Sequence, residues 1–198
     1  MARITTINGL TNLPNLTEFR ADWNSLEEID FRGCSNLEYI DVSDCYNNEN
    51  EKSLNRIYVA GLLHLQELRI DDSALTTLLS SIIGVQGLYA LTWLDADQCN
   101  LGGIVDLSDL VSLTGFDLYG NGGIFEIITS PEQLLTNVNL GGCSLIGEAV
   151  DALLYNLNES GAIGGYCYLD GGNNEAPSAS GLAAKASLEA KGWQVFTN

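Results

Sequence analysis

The chain has 198 residues, with 45% hydrophobic and 17% charged side chains, which suits a folded protein with a sizeable core and excludes a disordered one. Eight basic residues stand against 26 acidic ones, a formal net charge of −18. That balance works against nucleic acid and anionic membrane as partners, because electrostatics opposes both. No apolar stretch approaches the length that spans a bilayer, so no membrane insertion is expected.

The segment from Met1 to Leu13 has one Arg and no continuous apolar block, so it does not read as a secretion signal. With Met at position 1, a cleaved upstream signal is not expected either. Ile4, Ile7, Leu10 and Leu13 are expected to cap the first coil of a repeating structure. From residue 16 onward one phrase returns ten times: apolar, two variable residues, apolar, one variable, apolar, two variable, then Cys, Asn or a small residue. The clearest copies are Leu26-Ile29-Phe31-Cys34, Leu37-Ile40-Val42-Cys45, Leu91-Leu94-Ala96-Cys99, Leu113-Phe116-Leu118-Asn121 and Leu135-Val138-Leu140-Cys143. Weaker copies are Leu16-Phe19-Ala21-Asn24, Leu54-Ile57-Val59-Leu62, Leu65-Leu68-Ile70-Ser73, Gly164-Cys167-Leu169-Gly172 and Ala190-Trp193-Val195-Asn198. The phrase resembles the strand and turn of a leucine-rich repeat. It implies an α/β solenoid with one parallel β-sheet face, a helical or irregular convex side and a C-terminal helix-strand cap. A single domain over 1–198 is expected, with 1–15 as N-terminal cap, 16–175 as repeats and 176–198 as C-terminal cap.

The phrases start 10, 11, 17, 11, 26, 22, 22, 29 and 26 residues apart. A spacing of 22 accommodates a strand, a turn and a returning segment, whereas 10 or 11 leaves no room for the return. Taking alternate phrases early on predicts main-sheet strands near 17–21, 38–42, 66–70, 92–96, 114–118, 136–140, 166–169 and 193–197. The phrases at 26 and 54 then form the opposite face of a flattened coil. The polar stretch Asp44–Lys52 reads as an exposed insertion. Leu75, Leu78, Leu79, Ile82 and Ile83 have helical spacing and predict a helix over 74–85, and Ala149, Val150, Leu153, Leu154 and Leu157 predict another over 147–158. Gly102-Gly103 and Gly120-Asn121-Gly122-Gly123 read as turns, and Ser130-Pro131 reads as a one-turn helix opening. An Ala-rich helix comes next, capped by Ser178 or Ser180 and closed by Gly192, before a last strand at Trp193–Thr197.

Of the five cysteines, Cys34, Cys45, Cys99 and Cys143 occupy one slot of the phrase, where a small buried group turns the chain out of the strand. An odd count without a CxxC pair points to buried free thiols and to folding in a reducing compartment, with no disulfide framework. The stretch Leu169–Ser178, continued by Gly181–Val195, resembles a C-terminal module of tail, fibre and other structural proteins of tailed phages, notably those infecting Bacteroidetes. The resemblance implies a virion-associated or host-surface-binding protein folded in the host cytoplasm. The alternative is a bacterial cytoplasmic or exported repeat protein that binds a protein partner.

Strand side chains alternate between faces, so the third, fifth and seventh residues of each main phrase should tile one exposed surface. That surface reads Glu18, Arg20, Asp22; Tyr39, Asp41, Ser43; Glu67, Arg69, Asp71; Trp93, Asp95, Asp97; Gly115, Asp117, Tyr119; Asn137, Asn139, Gly141; Tyr166, Tyr168, Asp170. Tyr39, Asp41, Arg69, Trp93, Asp95, Asp97, Asp117, Tyr119, Asn139 and Tyr168 form the expected ligand-binding face, centred on Trp93, Asp95, Asp97, Asp117 and Tyr119. Aromatic rings among carboxylates suit a glycan or a basic protein segment. Asp95 and Asp117 on adjacent strands raise glycoside hydrolysis, but an open sheet face gives neither carboxyl a reason to stay protonated. No catalytic set, cofactor or metal site is expected: His64 is the only histidine and lies in a turn, and no calcium-loop or phosphate-loop pattern occurs. The expected partner is a protein or glycan, with a homo-oligomer or assembly into a virion compatible with the same face.

Overall fold

The computed structural model describes residues 3–198. Met1 and Ala2, which open the N-terminal segment, and the side chain of Leu79, part of the helical pattern over 74–85, lie outside the described residues. In chain order the strands are β1 (Glu18–Arg20), β2 (Glu28–Asp30), β3 (Tyr39–Asp41), β4 (Arg56–Tyr58), β5 (Glu67–Arg69), β6 (Ile82–Ile83) and β7 (Trp93–Asp95). They continue with β8 (Gly102–Asp106), β9 (Gly115–Asp117), β10 (Gly123–Ile128), β11 (Asn137–Asn139), β12 (Gly165–Leu169) and β13 (Trp193–Thr197). The helices are α1 (Leu78–Ser81), α2 (Gly147–Glu159) and α3 (Ala179–Ala190), with short 3-10 turns at Leu10–Asn12 and Val85–Gly87.

An eight-stranded sheet in the order β1-β3-β5-β7-β9-β11-β12-β13, parallel throughout, forms one side of the molecule. Each of its strands falls on a phrase assigned to the main sheet. The phrases at 26 and 54 supply β2 and β4, which pair with β6 in a separate three-stranded parallel sheet. Parallel strands cannot be joined by tight hairpins, so every coil must cross to the other side and return. The return is a strand in β2, β4, β6, β8 and β10, and a helix in α2 and α3.

Between the two sides runs one hydrophobic cluster from Leu10 to Val195. The phrase leucines, among them Leu37, Leu65, Leu68, Leu91, Leu94 and Leu113, are fully buried in it. Each contributes about 1.5–3 kcal/mol of burial free energy. Phe31 and Phe116 are its largest fully buried side chains, and Phe19 meets Phe31 edge-on at 5.0 Å, joining the two sides of the first coil. At the N-terminus only Leu10 is buried and Ile7 partly so. Ile4 and Leu13 are 48% and 47% exposed, so the expected four-residue cap is narrower than its pattern.

Two corners recur along the solenoid. At the entry to the main sheet, backbone bonds climb in steps of three, as in Leu62 N–H to Val59 and Leu65 N–H to Leu62, or Leu110 N–H to Leu107 and Leu113 N–H to Leu110. Cys34 sits at this corner, in the position held elsewhere by Leu62, Leu88 and Leu110, and its thiol donates to the Leu10 carbonyl at 3.0 Å. It therefore does not share the slot of the other cysteines, a correction to the expectation from phrase position. In the fifth coil the same corner is filled by buried Gln133, whose amide donates to the Leu107 and Leu110 carbonyls and accepts from Ser130 N–H. This inward amide is why Ser130-Pro131 opens a turn and no helix.

At the exit corner stand Asn24, Cys45, Ser73, Cys99, Asn121, Cys143 and Asn174. Asn121 shows what the position requires: its amide donates to Ala96 and Leu118 carbonyls and accepts from Cys99 and Leu101 N–H, all within 3.0 Å. Asn174 repeats this with Leu140, Leu169 and Leu145, so it, and not Gly172, fills the slot in that coil. Gly171 and Gly172, both at positive φ, carry the two-residue extension. The thiols of Cys99 and Cys143 donate to the Ile70 and Leu118 carbonyls of the preceding coil. All five cysteines are buried and free, and burial pushes the thiols of Cys143 and Cys167 up to about 12.

The return segments differ from expectation in three places. Over 74–85 the apolar residues Leu75, Leu78, Ile82 and Val85 are buried, but only α1, one turn long, is helical. Ile82 and Ile83 instead pair with Ile57 and Tyr58, and Gly84, at φ +97°, passes so close to Ala60 that a Cβ would lie 2.5 Å from its Cα. Gly102, Gly103 and Gly123 belong to the paired strands β8 and β10, not to turns. The Asp44–Lys52 insertion is exposed at its tip, but its base is tied by an antiparallel bridge between Tyr46 and Lys52. By contrast α2 matches its expected span, and Ser178 caps α3 by accepting from Ser180 N–H.

Asn121→Ala strips four hydrogen bonds from buried backbone groups and should cost about 3–4 kcal/mol of stability. Asn121→Cys, which keeps a donor in the slot, should cost clearly less. Urea unfolding of the two variants beside the parent chain measures the difference.

Candidate functional site

The sheet register places the outward side chains of the eight-stranded sheet in rows. One row pairs Glu18, Tyr39, Glu67, Trp93, Gly115, Asn137, Tyr166 and Gln194, and the next pairs Arg20, Asp41, Arg69, Asp95, Asp117, Asn139, Tyr168 and Phe196. A third row lies just past the strand ends, where backbone bonds continue from Trp23 to Ser43, Asp44 to Asp71, Asp72 to Asp97 and Gln98 to Tyr119. The donor at each of these steps is in the left-handed region: Trp23, Asp44, Asp72 and Gln98 have φ between 50° and 57°. That conformation costs a non-glycine residue about 1–2 kcal/mol. This bend before the exit corner aims Asp71, Asp97 and Tyr119 onto the face.

All ten expected site residues lie on this face, but not all are presented alike. Asp41 is only 9% exposed, accepting from the Ser43 hydroxyl at 2.6 Å and from the Tyr39 hydroxyl at 3.3 Å. Ser43, Gly115 and Gly141 are also buried, correcting their assignment to the exposed surface. Trp93 does not stand free as a stacking platform. It is half-buried and lies against Gly115, where a Cβ would come 2.7 Å from its Cζ3, and its buried Nε1 has no hydrogen-bond partner among the described residues.

The face divides into three zones. Around β1–β5 charges alternate: Arg20 pairs with Glu18 and Arg69 with Glu67, both at 2.6 Å, and the Arg20 guanidinium lies 4.4 Å over the Tyr39 ring. At β5–β7, Asp71, Asp95 and Asp97 bring carboxylate oxygens within 4.8 Å of one another. These three carboxylates are the group that could hold a hard cation. Burial and the neighbouring Asp95 and Asp97 charges raise Asp71 to about 7. Burial, Asp117 and Asp97 raise Asp95 to about 6, and burial raises Asp97 as well. The upward shift of Asp95 runs against the expectation for an open sheet face. Lys52 reaches this zone from the insertion, 3.1 Å from Asp72 and donating to the Gln98 carbonyl. Beyond β9 the face turns to amides and aromatics. Asn139 donates to Asp117 at 3.0 Å, and Tyr166, Tyr168 and Phe196 stack at 6.2 and 5.0 Å with rings nearly parallel. Phe196 lies outside the expected site, although its phrase position two residues after Gln194 marks it.

An internalin, inlF from Listeria monocytogenes str. 4b F2365, superposes on 94% of the chain with a TM-score of 0.65 at 19% sequence identity. The fold is a leucine-rich repeat solenoid. The chain spans 48% of that internalin's length. The functional domain of InlJ from Listeria monocytogenes, described as including a cysteine ladder, aligns with 85% of the chain and 52% of its own at 15% identity, with a TM-score of 0.27. No protein-family model and no curated relative matches the chain by sequence. Within this repeat solenoid no described helix is long and apolar enough to cross a membrane.

The raised Asp71 and Asp95 values make stability depend on pH in a definite direction. A carboxyl whose folded value lies above its unfolded one stabilises the fold most below pH 4, and that contribution is lost as pH rises toward 7. Asp71→Asn should therefore raise Tm at pH 8 and lose that advantage by pH 4.5. Paired thermal melts across this range check it.

Proposed function

We propose that this chain is a non-catalytic recognition module that binds a macromolecular partner, protein or glycan, with the outer face of its eight-stranded sheet. The observation that carries the reading is the registered array itself. Main-chain hydrogen bonds fix every strand, so the rows of outward side chains are held in place before a partner arrives, which lowers the ordering cost of binding. The opposite side of each coil is taken up by return strands and helices, which leaves this sheet face uncovered. Likeness of fold to an internalin supports a protein partner as the first case to test.

Raised carboxyl values alone do not make an enzyme. Asp71 and Asp95 sit on the sheet surface, while a cavity on this face lies further along, at Tyr119, Asn139 and Tyr168. General acid chemistry needs a substrate held at the acid.

The experiment is a protein and glycan array probed with the parent chain and four variants. Arg69→Glu and Tyr119→Ala alter the face, whereas Tyr155→Ala and Ile163→Ser alter side chains that are 58% and 84% exposed elsewhere. Loss of binding by about tenfold or more in the first pair, with the second pair unchanged, is expected. The opposite pattern would overturn the reading.

We further propose a virion as the setting, on the resemblance of the Leu169–Val195 stretch to phage structural modules. The polypeptide is then expected in purified particles by mass spectrometry. Its recovery only from the bacterial cell would favour the cellular alternative.

A further inference from the structure

Building on the sheet face as recognition surface, we propose that the cavity between Tyr119 and Tyr168 is a saccharide site that takes a neutral sugar ring. The cavity has a volume of about 320 Å³ and is lined by Tyr119, Asn139, Gly141, Tyr168, Asp170 and Gly171. That volume lies at the small end of ligand sites. Three features of its lining favour a sugar over other ligands.

The first is a pair of fixed aromatic walls. Tyr168 packs against Phe196 of β13 at 5.0 Å, with the Tyr166 ring of its own strand nearly parallel at 6.2 Å, and its register partner on the other neighbouring strand is the cavity residue Asn139. Tyr119 is 47% exposed and runs along bare backbone, where a Cβ on Gly141 would lie 3.2 Å from its Cδ2. A pyranose offers apolar C–H faces that stack on such rings, at little entropic cost when the rings are already fixed.

The second is a set of hydrogen-bonding groups with capacity to spare. The Asn139 amide is oriented by donating to Asp117 at 3.0 Å and accepting from Gly141 N–H at 3.2 Å, which leaves one of its N–H groups over. The Asp170 carboxylate is exposed, and neither it nor the Tyr119 and Tyr168 hydroxyls bonds another described residue. Carboxylate, amide and phenol together match the alternating donor and acceptor hydroxyls around a sugar's rim.

The third is charge. From β9 onward the face carries no basic side chain among the described residues, while Asp170 lines the cavity and Asp117 bonds its Asn139. A uronate, sialylated or phosphorylated glycan would meet repulsion with no counter-charge. A cationic peptide, conversely, would be drawn to the Asp71–Asp95–Asp97 trio, where three carboxylates are concentrated.

An array of proteins and of neutral and anionic oligosaccharides tests the assignment, with the parent chain, Tyr119→Ala, Asp170→Asn, Arg69→Glu and a distant control, Trp23→Ala, at an indole 64% exposed beside β1. Thermal melts confirm that each variant folds. Binding of at least one neutral glycan is expected, reduced tenfold or more by Tyr119→Ala and by Asp170→Asn and unchanged by Trp23→Ala. Binding of no saccharide, of anionic glycans alone, or of neutral glycans regardless of both cavity variants would overturn it. If no sugar binds while a defined protein on the array is lost with Arg69→Glu, the saccharide assignment falls and the recognition surface stands. If all binding survives every face variant, both fall.

Discussion

The structure depends on one constraint: at each corner of the coil, inward-pointing backbone groups must find partners, within the corner or in the neighbouring coil. A buried N–H or C=O left without one costs about 1–3 kcal/mol, and a solenoid multiplies that cost by its number of turns. The exit corner solves it with Asn24, Asn121 and Asn174, whose amides donate to and accept from backbone. Where Cys99 and Cys143 take the place, the thiol still donates to the preceding coil's carbonyl. The asparagines thus bond backbone on both sides of the corner, and the cysteines mainly fill space. Because the corners fix the rise from coil to coil, they also fix the register of the face. Asp95 sits beside Asp117, and Tyr168 beside Asn139, because Asn121 and Asn174 hold their coils in step.

Much of this was legible in the residues. The main-sheet strands can be placed from phrase spacing because the period-two alternation within each phrase and the coil length between phrases are both set by geometry. The helix α2 can be placed from Ala149, Val150, Leu153, Leu154 and Leu157, since thirteen residues leave room for a helical return. The 74–85 segment has the same kind of spacing but a different outcome. Its Ile82 and Ile83 are captured by the open edge of β4, and Gly84 ends any helix where the chain squeezes past Ala60. Sheet pairing with a residue 25 positions away outweighs local helical preference, and nothing local announces it. The β-branched residues Ile124, Ile127 and Ile128 do signal β10, but the glycines around them read equally well as turns.

The site was legible in membership but not in character. Alternation places the ten expected residues on one face, yet it cannot say that Asp41 is engaged by Ser43 and Tyr39, or that Trp93 folds down over Gly115. Those depend on which residue the neighbouring strand puts alongside. The raised Asp71 and Asp95 values likewise arise from three carboxylates converging from β5 and β7, a meeting that spans from residue 71 to residue 97.

The switch from strands to helices along the return side has a geometric result. Paired strands sit about 4.8 Å apart, whereas packed helices sit about 8–10 Å apart. Where β2, β4 and β6 form the back, both sides of the coils have the spacing of paired strands. Where α2 packs on α3, the back of the coils takes the wider helix spacing while β11, β12 and β13 keep the strand spacing in front, so the last coils need more room behind than before.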